Sequence, residues 1–489
     1  MNSIKVLLAT LSIEPTSRVE NNPNAAYSLG LAYIQAVLEK EEHDTRLLFL
    51  NNYDNDYSEK AFFDCFDEYQ PQIVAFQIFS MNRTSTFRAI EKIRQKSPST
   101  RIIIGGVHTS VMYRQIIDQY PGLVAVIGEG EYTVKDLVGA FESNAPLGDI
   151  NGIAYYSNEQ VVTTEPRELI ADLDSLPFPK HETFFELEPE RSVAHIIASR
   201  GCPFNCTFCC LKVISKRKYR KRDINKVVDE IRYIKEKYPQ LRHVQLHDDT
   251  FLLDNERVIQ FCKMIIDLDM QLTFECSARV KPISSEMFHW MEKAGFKKIM
   301  FGLETGSDKL LDSIHKKITK EDVFKLFDTL KPFDITITTF LMCGFPGEDM
   351  NTIHETIELV QNTQKIHYNL ITGVGILWVY PGTEVYEIMK NSGEITDDFW
   401  MSDEPVPYFT VEHDVNELIE YENIILDHVS LYRILTFSGF KNHFLVMPTT
   451  IIRFILKNRN LLPTILAMPI KLHFPELHTK IQRLYNRIK

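Results

Sequence analysis

The chain has 489 residues, of which 44% are hydrophobic and 25% charged, and its net charge is −12. That length exceeds one ordinary core and suits two or three domains; the composition excludes wholesale disorder, and the acidic balance argues against a general affinity for nucleic acid. MNSIKVLLAT lacks the basic region and long apolar run of a secretory signal, and no uncharged apolar stretch reaches the about 20 residues of a membrane-spanning helix, so a cytoplasmic protein is expected.

Residues 1–145 alternate apolar runs with amphipathic segments. Strands are predicted at Ile4–Thr10, Thr45–Leu50, Ile73–Phe79, Arg101–Ile104 and Leu123–Ile127, with helical patterns such as SLGLAYIQAVLEK and STFRAIEKIRQ between them. Short β runs spaced by helices imply a parallel sheet covered on both faces, a doubly wound α/β domain whose ligands bind beyond the carboxyl ends of the strands. Residues 146–192 break this rhythm: GIAYYSNEQVVTT reads as a small hairpin and DLDSLPFPKHETFF as a proline-marked connector. A second series follows over 193–390, with strands near Val193–Ser199, His243–His247, Leu272–Cys276, Lys298–Gly302, Ile335–Met342 and Leu370–Val379. Six strand–helix repeats point to a partial (β/α)6 barrel, where chemistry gathers at the carboxyl end of the strands. Residues 391–489 read as a mostly helical region with a basic end. Within it, IIRFILKNRNLLPTILAMPIKLHF mixes apolar residues, cations and prolines, which fits either a peripheral contact with anionic lipid or a helical cap packed on the barrel. Pro448, Pro463, Pro469 and Pro475 prevent one long amphipathic helix and favour the cap.

The eight cysteines are uneven. Cys65, Cys262, Cys276 and Cys343 stand alone in apolar surroundings and read as core. RGCPFNCTFCC holds the other four. A reducing compartment disfavours disulfides, and zinc sites pair two cysteines with a second, distant pair that is missing here. Cys202, Cys206 and Cys209, spaced C-x3-C-x2-C at the end of the first barrel strand, instead offer three thiolates to a four-iron cluster and leave one iron open to another ligand. Cys210 lies outside that economy.

C-x3-C-x-aromatic-C, with Phe208 as the aromatic residue, resembles the signature of the radical S-adenosylmethionine (SAM) enzymes, and the resemblance covers most of residues 193–390. It implies a [4Fe–4S] cluster on Cys202, Cys206 and Cys209, with SAM bound to the fourth iron and cleaved to a 5′-deoxyadenosyl radical. Further stretches match in order: HDDTF places Asp248 or Asp249 at the methionine amino group, CSARV places Arg279 at the carboxylate, FGLETGS places Glu304 at the ribose or methionine end, MCGFPGE places Gly344 near the adenine, and YPGTEVY closes the sixth strand. HDDTF lacks the usual glycine–glycine–glutamate, which leaves Asp248 and Asp249 undecided.

A doubly wound domain ahead of such a barrel resembles the cobalamin-binding domain of one large subclass. On that resemblance Gly105 and Gly106, then Gly128, Glu129 and Gly130, line the cofactor at two strand ends, Ser80 faces the nucleotide tail and His108 lines the corrin edge. No aspartate–any–histidine–any–any–glycine motif occurs in residues 1–150. Phosphate or dinucleotide binding lacks its glycine motif after the first strand; FMN, or a domain kept as scaffold, are the other readings. The implied cofactors are a [4Fe–4S] cluster, SAM and cobalamin. The implied function is methylation of an unactivated carbon of a small-molecule or lipid-like substrate, with electrons from an external donor such as flavodoxin or ferredoxin. Ring closure of the anaerobic porphyrin-ester cyclase type is the alternative, and a non-catalytic cobalamin and iron–sulfur sensor is the alternative of another class.

Overall fold

The computed structural model describes residues 3–13, 24–367 and 369–429, which fall into two compact units. The first comprises Met1–Phe251, Met264–Thr273 and Trp378–Pro407 as far as they are described, and the second Leu252–Lys263, Phe274–Leu377 and the described residues from Tyr408 onward. The basic segment 430–489, and with it the lipid-contact and cap readings, lies outside the described residues. Among the described residues no helix is long and apolar enough to cross a membrane.

The first unit opens with the alternation that the apolar runs predict. Strands β1 (Lys5–Thr10), β2 (Asp44–Phe49), β3 (Ile73–Gln77), β4 (Arg101–Gly105) and β5 (Leu123–Val126) alternate with helices α1 (Leu29–Lys40), α2 (Asn55–Tyr69), α3 (Arg83–Lys96), α4 (Val107–Gln119) and α5 (Glu131–Ser143). The five strands run parallel in the order β2-β1-β3-β4-β5. Val6, Leu7 and Leu8 are consecutive and fully buried, as are Ile102, Ile103 and Ile104 to within a few per cent, because helices cover both faces of the sheet. Helix starts follow the capping rule: the Ser28 hydroxyl accepts from the Leu31 N–H and the Asp54 carboxylate from the Tyr57 N–H. Strand order reverses direction at β1, which opens a crevice at the carboxyl ends of the central strands.

The hairpin read as part of the connector belongs to this sheet. Strands β6 (Ile153–Ser157) and β7 (Gln160–Thr163) add antiparallel to β5, with Val126 opposite Ile153. Ile153 and Ala154 are fully buried, so the apolar start of β6 seals the edge that β5 would otherwise leave open.

The first unit continues with β8 (Val193–Ile196), a two-stranded antiparallel ribbon of β9 (Ser199–Arg200) and β10 (Arg220–Lys221), and β11 (His243–Leu246), which pairs parallel with β8. The second unit carries β12 (Thr273–Ala278), β13 (Phe296–Glu304), β14 (Thr336–Cys343) and β15 (Leu370–Ile376), parallel and adjacent in chain order. Helices Ser285–Lys293, Lys320–Leu330 and Met350–Ile366 connect them, the last two started by capping boxes at Thr319/Asp322 and Asp349/Thr352. The six β/α strands of the sequence reading are all present, two in the first unit and four in the second. Cys262, Cys276 and Cys343 are buried as expected of core residues, whereas Cys65 is only half-buried.

Gly106 holds φ +100° and ψ 178°, a region that only glycine enters freely, and a Cβ there would stand 2.7 Å from the Ile78 carbonyl oxygen. Gly139, inside α5, has no atom within 4 Å of such a Cβ. Gly106→Ala is expected to lower stability by about 2 kcal/mol or more, and Gly139→Ala to raise it by about 0.5–1 kcal/mol, in denaturant unfolding.

Candidate active site and cofactor cavities

The cysteine loop runs from Gly201 to Tyr219 between the two strands of the β9–β10 ribbon. None of the eight cysteines forms a disulfide. Cys206 is buried and its carbonyl accepts from the Cys209 N–H at 3.1 Å, while Cys202, Phe208 and Cys209 are half-buried. Burial pushes the Cys209 thiol up to about 12, against the Leu211 N–H, which favours the thiolate; Cys210, Cys206 and Cys202 add to the upward push. Three surroundings shape the loop. The Thr207 carbonyl accepts from the Glu384 and Val385 N–H groups at 2.8 and 3.3 Å, so the YPGTEVY stretch grips the loop between two of its cysteines. Asp248 accepts from the Ala198 N–H at 2.7 Å and from the Ser199 hydroxyl, fixing the approach to the loop. Asp249 accepts from the Gly201 N–H at 2.8 Å.

A cavity of about 320 Å³ lies beside this loop, within the first unit. Gly105, Gly106, Gly128, Glu129 and Gly130 all line it, as do Arg200, Gly201 and Asp249 from the other side. The two glycine stretches and the flank of the cysteine loop therefore share one space. Of the two aspartates that the sequence left undecided, Asp249 faces this cavity and Asp248 is engaged behind it. A Cβ at Gly128 would meet no atom within 4 Å, and one at Gly105 only Val126 at 3.7 Å, so side chains there would occupy room the glycines leave open. Such a cradle at the carboxyl ends of a parallel sheet fits a bulky cofactor laid against bare backbone. Glu129 lines the cavity, and its carboxylate is taken up by Arg200 at 3.0 Å, Arg220 at 2.8 and 2.9 Å and the Ile170 N–H at 2.9 Å.

Ser80 and His108 border a second cavity of about 370 Å³, also in the first unit, together with Asn51, Met81, Cys210 and Tyr380. Phe79 and Val107 wall both cavities. Ser80 Oγ and His108 Nδ1 are hydrogen-bonded at 2.9 Å, and the imidazole edge meets the Trp400 ring at a centroid distance of 5.4 Å. Burial, then the Arg83 charge, push the His108 pKa down to about 3, so the ring is neutral at physiological pH.

In the second unit, Arg279 and Glu304 are drawn together by a residue the motifs did not single out. Lys316 pairs through Nζ with the Glu304 carboxylate, and its carbonyl accepts from the Arg279 guanidinium. All three are buried, and Glu304 sits at φ +68°, an unfavourable backbone state for a residue with a Cβ. The sequence signal for Lys316 was faint: a lysine in HKKITK, one of several, twelve residues beyond Glu304 (316 − 304). Gly344 has φ +93°, and its N–H, with that of Phe345, is held by the buried Glu348 carboxylate of the same MCGFPGE stretch.

Comparison with known proteins identifies two domains. Residues 18–138 match the B12 binding domain and residues 196–360 the radical SAM superfamily. The chain carries a B12 binding domain followed by a radical SAM domain. Over 366 residues it is 27% identical to an uncharacterized methyltransferase, PH0819, of Pyrococcus horikoshii, spanning 73% of this chain and 77% of that one. Over 343 residues it is 27% identical to an anaerobic magnesium-protoporphyrin IX monomethyl ester cyclase of Rubrivivax gelatinosus, spanning 68% of this chain and 61% of the cyclase. Its fold is similar to that of OxsB, a cobalamin-dependent SAM radical enzyme solved with aqua-cobalamin and SAM bound; the TM-score is 0.67 at 18% identity, over 81% of this chain and 62% of OxsB.

A radical SAM domain carries a [4Fe–4S] cluster and SAM, and a B12 binding domain carries cobalamin. The residue types suit them: three cysteines in one loop for iron, a glycine-walled cavity for a corrinoid, and buried cationic and anionic groups for an amino acid-like cofactor.

Burial pushes the Glu348 carboxyl up to about 7, against the Gly344 and Phe345 N–H groups and His413, which favour its ionised form. A raised folded pKa contributes stability that is complete below the unfolded value, near 4.5, and is lost as pH rises through about 7. Relative to Glu348→Gln, the wild type is therefore expected to lose unfolding free energy between pH 4.5 and 7, as denaturant titrations at stepped pH would show.

Proposed function

We propose that this protein is a cobalamin-dependent radical SAM methyltransferase acting on an unactivated carbon of a small or lipid-like molecule. The observation that carries this reading is the single cavity lined by both the glycine stretches of the cobalamin domain and the flank of the cysteine loop. When bound, the cluster and SAM supply a 5′-deoxyadenosyl radical and cobalamin supplies a methyl group, chemistry that belongs to the cofactors rather than to side chains.

The chain's own part is binding and placement. Cys202, Cys206 and Cys209 are the proposed cluster ligands, in a loop kept in shape by the backbone N–H groups of Glu384 and Val385 and by Asp249. Phe208, half-buried between two of the proposed ligands, would lie beside the cluster. By the family resemblance, Asp249 of the first unit would be offered to the SAM amino group; within the second unit the buried set of Arg279, Glu304 and Lys316 would suit a carboxylate and a ribose, and Gly344 would border the adenine. Gly105, Gly106, Gly128 and Gly130 wall the cobalamin site, and Ser80 and His108 extend it through the shared Phe79 and Val107. The neutral His108 ring would offer the cofactor a hydrogen bond through Nε2 without placing a charge beside it. An external electron donor of the flavodoxin or ferredoxin type, in the cytoplasm, supplies the reducing equivalent.

Relatives named as methyltransferases favour methylation, and the cyclase likeness gives oxidative ring closure as the second reading. The test is anaerobic reconstitution with iron, sulfide and hydroxocobalamin, followed by SAM and a strong reductant, with chromatography of the products. Both 5′-deoxyadenosine and S-adenosylhomocysteine are expected from the wild type, with deoxyadenosine lost in Cys206→Ala. Deoxyadenosine alone from a cobalamin-loaded protein would shift the reading to ring closure. Neither product, from a protein with an intact cluster, would overturn the enzyme reading in favour of a sensor.

A further inference from the structure

The β9–β10 ribbon closes the base of the cysteine loop, and its register sets Arg200 directly opposite Arg220. Two like charges facing each other across an antiparallel pair repel, and here the repulsion is not screened by water, since the two side chains are only 16% and 10% exposed. One carboxylate answers both. Glu129, from the glycine stretch of the cobalamin cavity, receives Arg200 at 3.0 Å on one oxygen and Arg220 at 2.8 and 2.9 Å across both. The Ile170 N–H supplies a fourth hydrogen bond, so the carboxylate's acceptor capacity is full. Arg200 has a second acid, Glu131 at 2.7 Å. Arg220 depends more heavily on Glu129: its other guanidinium bond goes to the Ile170 carbonyl at 2.7 Å, and its Nε is buried without a partner.

We propose that Glu129 is a positioning residue for the iron–sulfur cluster: by neutralising the two opposed arginines it holds the base of the cysteine loop shut. Cys202 lies two residues beyond Arg200, so a ribbon that parts at Arg200–Arg220 loosens the first ligand of the three. The inference rests on the reading of Cys202, Cys206 and Cys209 as cluster ligands. It gives Glu129 a part the sequence did not suggest, since the residue faces the cobalamin cavity yet spends its charge on the cysteine loop.

The test uses the full chain, with and without cluster. In cluster-free protein, hydrogen–deuterium exchange over residues 201–219 reads the loop directly. In reconstituted protein, the rate of iron release to a chelator reads cluster retention. Glu129→Gln keeps the shape, removes the charge and leaves Arg220 buried without an acid, so both rates are expected to rise about tenfold. Glu129→Gln/Arg220→Gln removes the stranded cation as well, and is expected to recover most of that loss, which a purely steric role for Glu129 would not produce. Arg220→Gln alone leaves Arg200 paired with two acids and should stay within about twofold of the wild type, a check that stands even where Glu129→Gln fails to fold. Unchanged rates in Glu129→Gln, a double variant no better than the single, or an Arg220→Gln as damaged as Glu129→Gln would each overturn the proposal. A wild type that takes up no cluster would instead refute the ligand reading, and exchange over 201–219 would still decide the role of Glu129.

Discussion

Three thiols on a long irregular loop hold no shape by themselves, because each residue outside regular structure costs about 1–2 kcal/mol of backbone entropy to order. Most of the first unit can be read as the set of restraints that meets this need. Asp248 pins Ala198 and Ser199 just before the loop, Asp249 holds Gly201 at its start, and the backbone of Glu384 and Val385 takes the Thr207 carbonyl in its middle. The restraints come from stretches far apart in sequence, which explains why motifs spread over nearly two hundred residues occur together: each supplies a polar group that the loop cannot find locally.

The parallel sheet imposes the complementary constraint. Its central strands are buried on both faces and carry no chemistry, so binding is left to the loops at their carboxyl ends. Glycine at those ends is what a bulky ligand requires, and Gly106 shows that the requirement extends to the fold itself. Its conformation and its closeness to the Ile78 carbonyl leave no room for a Cβ whether or not a ligand is present. Gly128 differs, since open space surrounds it and its value lies in what it leaves bare.

Much of this was legible in the sequence, and the boundary of legibility has a physical cause. Apolar runs located the parallel strands: β1, β3, β4 and β5 are buried on both faces and write a continuous signal, while strands such as β11 and β12 alternate buried with half-buried residues. Cysteine spacing and glycine pairs marked the loops, because both are local in the chain. The β6–β7 hairpin was visible as a hairpin but not as part of the first sheet, since pairing with β5 is a long-range choice made by an exposed edge. Lys316 was one lysine among several until the fold set it between Arg279 and Glu304. Ser80 and His108, assigned to the corrinoid site, border a cavity that shares Phe79 and Val107 with the glycine-walled one, a division that no local pattern announces. Glu129 was read as a cavity residue, which it is, but its partners lie 71 and 91 residues away and no local pattern announces them.

The charges in the wall of the glycine cavity sharpen that last point. Arg200, Arg220, Glu129 and Glu131 all line it, and four ionised side chains would ordinarily make a cavity that selects a charged ligand. Here two cations and two anions are joined in one chain of ion pairs, and desolvating them is tolerable only because they compensate one another. Apart from Asp249, what the cavity presents to a ligand is then bare backbone and apolar surface such as Leu31, Ile34 and Val126, with recognition by shape more than by charge. The same pairing that quiets the cavity also ties the cysteine loop to its wall. A ligand that displaced one of these four groups would disturb the cluster site as well, so the cavity and the loop share a single electrostatic constraint.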